Sequence, residues 1–125
     1  MKVVITGGAG LVGSHIADLL VKKNIKKIII IDDFSRGVLS NLSLAKKNGN
    51  LEIIKGSILD SKLLLECFDN ADFIFHQAAI RITQCAKRNR LAHEVMSTGT
   101  FNVAEAAVKS QVKKVIAASS ASIYG

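Results

Sequence analysis

The residues best placed to do chemistry in this chain are ones without side chains. The stretch Thr6-Gly7-Gly8-Ala9-Gly10-Leu11-Val12-Gly13-Ser14 follows a short apolar run, Val3 to Thr6, and opens an amphipathic one. In such a bend Gly7 can take the positive φ of a tight turn, and Gly10 lets a diphosphate reach the main chain. Gly13 lets helix and strand pack closely. The amides of Leu11 and Val12 begin a helix, so no helical carbonyl takes them up. Together with the helix dipole they attract phosphate without any side-chain cation.

A second feature falls at the right distance. Asp32 ends the next apolar run, about 20 residues beyond the glycines, where a carboxylate accepts hydrogen bonds from the ribose hydroxyls of an adenosine. Asp33 beside it is assigned to the same site. Turn and carboxylate together read as a dinucleotide-binding fingerprint, and Asp32 repels a 2′-phosphate, so NAD is favoured over NADP. Arg36 is the counter-signal, since a guanidinium four residues on could receive that phosphate. No Gly-x-x-x-x-Gly-Lys-Ser/Thr sequence occurs, which argues against a P-loop nucleotide hydrolase.

These groups need a scaffold, and the pattern supplies one. Val3 to Thr6, Lys27 to Ile31, Leu51 to Lys55, Phe73 to His76 and Lys113 to Ala118 read as strands. Between them lie helical patterns: Leu11 to Lys23, about Val38 to Lys47, a brief helix capped by Asp60 or Ser61 and running through Phe68, and a long one from near Asn89 to Lys109. Strands apolar throughout must be covered on both faces, the mark of a parallel sheet between helices. Right-handed crossovers then favour a doubly wound α/β fold of Rossmann type with strand order 3-2-1-4-5, all in one domain spanning residues 1–125.

Composition bounds the rest. The 125 residues are 49% hydrophobic, enough to bury a core. The longest strand-like aliphatic run, Ile28 to Ile31, is far short of the ~20 residues of a membrane span. Met1 leads straight into a strand with no leader-like start, which points to the cytoplasm. The net charge is +7, from 17 Lys and Arg against 10 Asp and Glu. The lysines occur as scattered pairs near helix ends rather than as one stripe, so nucleic acid is not an expected partner. Cys67 and Cys85 have neither Cys-x-x-Cys spacing nor a nearby histidine, so no metal or disulfide is expected. His76, at a strand end, has no carboxylate near it in sequence to hold it as a base and is expected to be packed and hydrogen-bonded.

Taken with the glycine turn and Asp32, the segments His76-Gln77-Ala78-Ala79 and Ala118-Ser119-Ser120-Ala121-Ser122-Ile123-Tyr124-Gly125 resemble the N-terminal part of the extended short-chain dehydrogenase/reductase family. Its NAD-dependent epimerases and dehydratases are typified by UDP-glucose 4-epimerase. The resemblance covers the whole chain. It implies that Ile58 lies by the adenine and that Ala78, Ala79 and Ile80 wall the cofactor. Ser57 stands where an aspartate is usual, which weakens a bond to the adenine amino group. Ser119 is placed with the cofactor-binding residues, and Ser120 is implied to be the catalytic serine, its hydroxyl bonding the substrate oxygen that loses a proton. The family's Tyr124 is structural. Met96 stands three residues before Gly99-Thr100, where an asparagine is common, and a thioether cannot donate. Gly99 inside a helix costs ~1 kcal/mol against alanine and is expected to allow close packing on the sheet.

Family members carry a Tyr-x-x-x-Lys pair roughly 20 to 30 residues past the Ser-Ser strand. The 125 residues end before it. The chain is therefore read as the NAD-binding portion of a sugar-nucleotide epimerase or dehydratase, homodimeric when complete, whose own catalysis is uncertain without that pair. The fifth strand is expected to present an uncovered apolar edge that promotes aggregation or dimerisation of the fragment. Two other readings stand beside this one: a non-catalytic dinucleotide-binding sensor, and an NADP-linked reductase of small carbonyl compounds.

Overall fold

A computed structural model describes residues 1–23, 25–120 and 124. Five strands form one parallel sheet: β1 (Lys2–Thr6), β2 (Lys27–Asp32), β3 (Leu51–Lys55), β4 (Phe73–His76) and β5 (Lys114–Ala117). Their order is β3-β2-β1-β4-β5, as the pattern predicts. The helices are α1 (Leu11–Lys22), α2 (Ser43–Asn48), α3 (Ser61–Phe68), α4 (Ile82–Lys87), α5 (Asn89–His93) and α6 (Thr100–Lys109).

The four consecutive isoleucines of β2 show why the central strands carry no polar alternation. Ile29 and Ile31 face one layer, with Val4, Leu64, Phe68, Ile74 and Val103. Ile28 and Ile30 face the other, with Val3, Ile5, Ala17, Leu42 and Ala45. Successive side chains point to opposite faces, so a strand between two helical layers must be apolar at every position. At the sheet's ends this requirement relaxes: β3 exposes Glu52 and Lys55, and β5 exposes Lys114, Val115 and Ala117. Strand β5 stands at one end of the order and pairs with β4.

The strand order reverses between β1 and β4, with β2 and β4 pairing along β1 from opposite sides. Connections leaving their carboxyl ends part in opposite directions there, opening a crevice, so the fold places its ligand site before any residue is considered.

Three local features depart from the sequence pattern. The second helix is split into a 3-10 turn, Leu39–Leu42, followed by α2. Helix α4 has no counterpart in the pattern; it is only six residues long and has no side-chain cap. The run from Asn89 to Lys109 is helical throughout but widens into π turns over Glu94–Gly99. There Gly99 meets not the sheet but Ile58: a Cβ on Gly99 would lie 2.5 Å from Ile58 Cδ1. Asp60 caps α3, its Oδ1 accepting from the Leu63 amide at 3.0 Å.

Phe68, the last residue of α3, is fully buried in the layer with Val4, Ile29, Ile31 and Ile74 of the sheet. Phe68→Ala is expected to destabilise the chain by about 3–5 kcal/mol, read as a lowered urea midpoint.

Candidate functional site

The turn after β1 is built by close approaches of main chain to main chain. Gly7 has φ +68, and a Cβ there would lie 2.6 Å from the Ala78 amide nitrogen. Its own N–H donates to the Ile31 carbonyl at 2.8 Å, tying the turn to the end of β2. A Cβ on Gly13 would collide with the Gly7 carbonyl, so this glycine lets α1 sit on the turn itself rather than on the strand. Gly10 differs. It has an ordinary φ of −74, and a Cβ would meet only the Gly7 carbonyl, at 3.3 Å. That contact is tight but the mildest of those at the turn's glycines, so the protein's own packing demands a glycine less here than at Gly7 or Gly13, whereas a ligand lying over the turn would demand one.

Helix α1 starts at Leu11 with no side-chain cap, and the Ser14 amide takes the Gly10 carbonyl at 3.1 Å. The amides of Leu11 and Val12 precede that first helical bond, at the positive end of the dipole.

Asp32 is buried, and both carboxylate oxygens are engaged: Oδ2 accepts from the Ala9 amide at 2.8 Å and Oδ1 from the Phe34 amide at 2.9 Å. A carboxylate has roughly four acceptor positions, so two more remain for hydroxyl donors. Gly37 is needed beside it, since a Cβ there would lie 2.8 Å from Asp32 Oδ1. Asp33 is exposed, with Oδ1 accepting from the Ser35 amide and hydroxyl.

Behind the turn lies a polar chain in which Thr6 and His76 are buried and Thr100 is exposed. His76 Nδ1 is 2.7 Å from Thr6 Oγ1, and its Nε2 is 3.2 Å from Thr100 Oγ1. A neutral imidazole donates at one nitrogen and accepts at the other, and hydroxyls on both sides satisfy either arrangement. Burial pushes its pKa down. The histidine is a packed tie between β1, β4 and α6, as its lack of a carboxylate partner suggests.

Between the turn, the β2 exit and the β4 exit lies a cleft of roughly 630 Å³. It brings together the sequence-predicted Gly7, Gly10, Leu11, Val12 and Gly13 with Asp32, Asp33, Ser57 and Ile58. Ala78, Ala79 and Ile80 form the facing wall, and the Ile80 amide donates to Met96 Sδ at 3.4 Å. The methionine thus accepts where an asparagine could donate. Ser57 Oγ accepts from the Leu59 amide at 3.2 Å. Ser119 and Ser120 lie just past β5 and are exposed; of that segment it is Ala118 that lines the cleft. Ala121, Ser122, Ile123 and Gly125 of the serine-rich motif fall outside the described residues.

Sequence reasoning missed Asn41, Arg81, Gln84 and Arg88, which also line the cleft. The last three come from α4 and its flanks, which carried no periodic signal. Among the described residues no group of three or more His, Cys, Asp or Glu is placed to hold a metal, and no helix is long and apolar enough to cross a membrane.

A parallel sheet of order 3-2-1-4-5 with a glycine turn, helix start and strand-end carboxylate around its crevice defines a dinucleotide-binding α/β domain. The chain belongs to the NAD dependent epimerase/dehydratase family, whose profile matches residues 3–125, and NAD is that family's cofactor. It is 38% identical over 127 residues to the UDP-N-acetyl-alpha-D-glucosaminuronate decarboxylase of Bacillus cytotoxicus, covering 99% of this chain and 38% of that one. Its structure is similar to that of the UDP-N-acetylglucosamine 4-epimerase from Methanobrevibacter ruminantium M1 in complex with UDP-N-acetylmuramic acid. There the TM-score is 0.89 and the identity 34%, over 99% of this chain and 39% of that chain. It is similar too to dTDP-glucose 4,6-dehydratase from Streptomyces venezuelae with NAD and TYD bound, with TM-score 0.85 and 28% identity over 92% and 38% of the two chains. The chain thus spans 38–39% of the length of these three proteins.

The lowered pKa of His76 has a sign that can be tested. A native imidazole harder to protonate than the unfolded one contributes stability that is present above the ordinary value of 6.5 and is lost as pH falls toward the depressed native value. The stability advantage of wild type over His76→Gln should therefore shrink between pH 7.5 and 5 in thermal unfolding. An advantage independent of pH would rule out this titration as its source.

Proposed function

We propose that this chain holds NAD for a sugar-nucleotide epimerase or dehydratase. The observation that carries the reading is Gly10: the glycine of the turn whose Cβ would meet the mildest contact, 3.3 Å to the Gly7 carbonyl, set at the start of α1 where Leu11 and Val12 line the cleft. In this reading those amides take the diphosphate, with Gly7 and Gly13 keeping the turn compact. Asp32, aided by Asp33, takes the adenosine ribose, and Ser57 and Ile58 border the adenine. Ala78, Ala79 and Ile80 form an apolar wall that excludes water from the other half of the cofactor. Bound NAD supplies a centre that can accept a hydride from a sugar carbon and return it.

Ser119 sits with the cofactor in this reading, and Ser120 is the residue that would bond the reacting hydroxyl. The same proposal includes a sugar nucleotide as substrate, a homodimer and a cytoplasmic location for the whole protein. Arg36 lines the cleft beside Asp33 and favours a second reading, in which NADP is the cofactor and a carbonyl compound the substrate. A 2′-phosphate would then have to lie near the Asp32 carboxylate, which favours NAD.

Calorimetric titration with NAD and with NADP decides between them. NAD is expected to bind and NADP to bind at least about tenfold more weakly. Gly10→Leu is expected to weaken NAD by at least about tenfold while the unfolding midpoint stays near that of wild type. Unaltered NAD uptake by Gly10→Leu would overturn the assignment of the turn.

A further inference from the structure

We propose that Asn41 is a positioning residue for the diphosphate-binding turn, acting through the carbonyl of Ala9. The inference rests on the reading of that turn given above. Asn41 Nδ2 donates to the Ala9 carbonyl at 2.8 Å, and the Val38 amide donates to the same oxygen at 3.2 Å. On the other side of the residue, the Ala9 amide donates to Asp32 Oδ2 at 2.8 Å. The next amide, that of Gly10, donates to the Gly7 carbonyl at 3.2 Å. Every polar main-chain group from the Ala9 nitrogen to the Gly10 nitrogen is therefore held.

The need for this arises from Gly10 itself. A glycine populates both signs of φ at little cost, so the peptide that joins it to Ala9 has no steric bar to rotation. If that peptide turned over, its carbonyl oxygen would bring partial negative charge to the place where phosphate oxygens are to lie. The feature that admits the diphosphate thus also loosens the peptide beside it. Asn41 supplies the shorter of the two bonds that restrain the Ala9 carbonyl, from a different element, the 3-10 turn after β2. Its carboxamide donates without carrying charge; Ala9 is fully buried, while Asn41 itself is exposed and lines the cleft.

The test compares ligands that do and do not contain a diphosphate, on the full 125-residue chain. Asn41→Ala should weaken NAD and ADP-ribose about 5- to 10-fold, the loss of one hydrogen bond's worth of preorganisation. Adenosine, followed by NMR titration, should change by less than about twofold. Asn41→Asp, which sets an acceptor against the carbonyl, should weaken the diphosphate ligands further, and Asn41→His, which keeps a donor, should recover part of the loss. Equal weakening of all three ligands, or none, overturns the proposal. Amide hydrogen exchange gives a readout that needs no ligand: in Asn41→Ala the Gly10 amide should exchange at least about tenfold faster. An unchanged rate overturns the clamp even if NAD binds, whereas a faster rate in Asn41→Ala, together with no dinucleotide uptake by the wild-type chain, would sink the cofactor reading and leave the clamp standing.

Discussion

The site depends on one steric fact: the main chain after β1 and the main chain after β4 pass closer than a methyl group would allow. Gly7 faces the Gln77–Ala78 peptide with no room for a Cβ, and its φ of +68 is available to glycine at no cost. From this contact the rest of the cleft takes its dimensions. It sets the distance between the start of α1 and the wall of Ala78, Ala79 and Ile80, which face each other across the cavity. Side-chain packing could not hold two walls so near, because even alanine on both sides would separate them by a van der Waals diameter.

Such a contact between backbones has no adhesive strength of its own, and the surrounding polar groups keep it closed. On one side the Thr6–His76–Thr100 chain joins β1, β4 and α6 directly beneath the turn. On the other, Asp32 grips Ala9 and the loop after β2. The two ties differ in kind. The imidazole lies between two hydroxyls, and burial disfavours its charged form. The carboxylate is surrounded by amide donors, the arrangement that makes a buried acceptor tolerable. A protein site that must itself attract an anion gains from this division: the charge nearest the turn is neutralised by main-chain donors, and the helix start is left to act on the ligand.

The sheet was legible in the sequence because β1, β2 and β4 are apolar without alternation and only a two-layer cover explains that. Likewise the glycine turn and Asp32 could be read because their roles depend on backbone geometry at fixed spacing. What could not be read shares a physical reason. Asn41 and Gly37 act on Ala9 and Asp32 across the fold, so nothing in their local sequence marks them. Helix α4 is too short for periodicity to register, yet it brings Arg81, Gln84 and Arg88 to the cleft. Gly99 was recognisable as a glycine that a helix tolerates only for cause, but its partner, Ile58, follows from the π turns of Glu94–Gly99, which no pattern announces. Met96 illustrates the limit differently: the loss of an amide donor was evident, while the acceptance of the Ile80 amide by its sulfur needed coordinates.

The three proteins compared above are named for a decarboxylase, a 4-epimerase and a 4,6-dehydratase, and this chain is 28–38% identical to each over nearly all of its own length. Whatever they hold in common with it cannot be what separates their reactions. The constraints traced here fit that division, since a glycine that admits a diphosphate, a carboxylate at a strand end and a backbone crossing are indifferent to which sugar carbon reacts. They fix where a dinucleotide lies and leave the opposite mouth of the cleft, lined by Ala118 and α4, to be shaped by whatever packs against it. Selection among those three proteins' reactions must then rest on residues in which they differ, within the matched 38–39% of their length or beyond it.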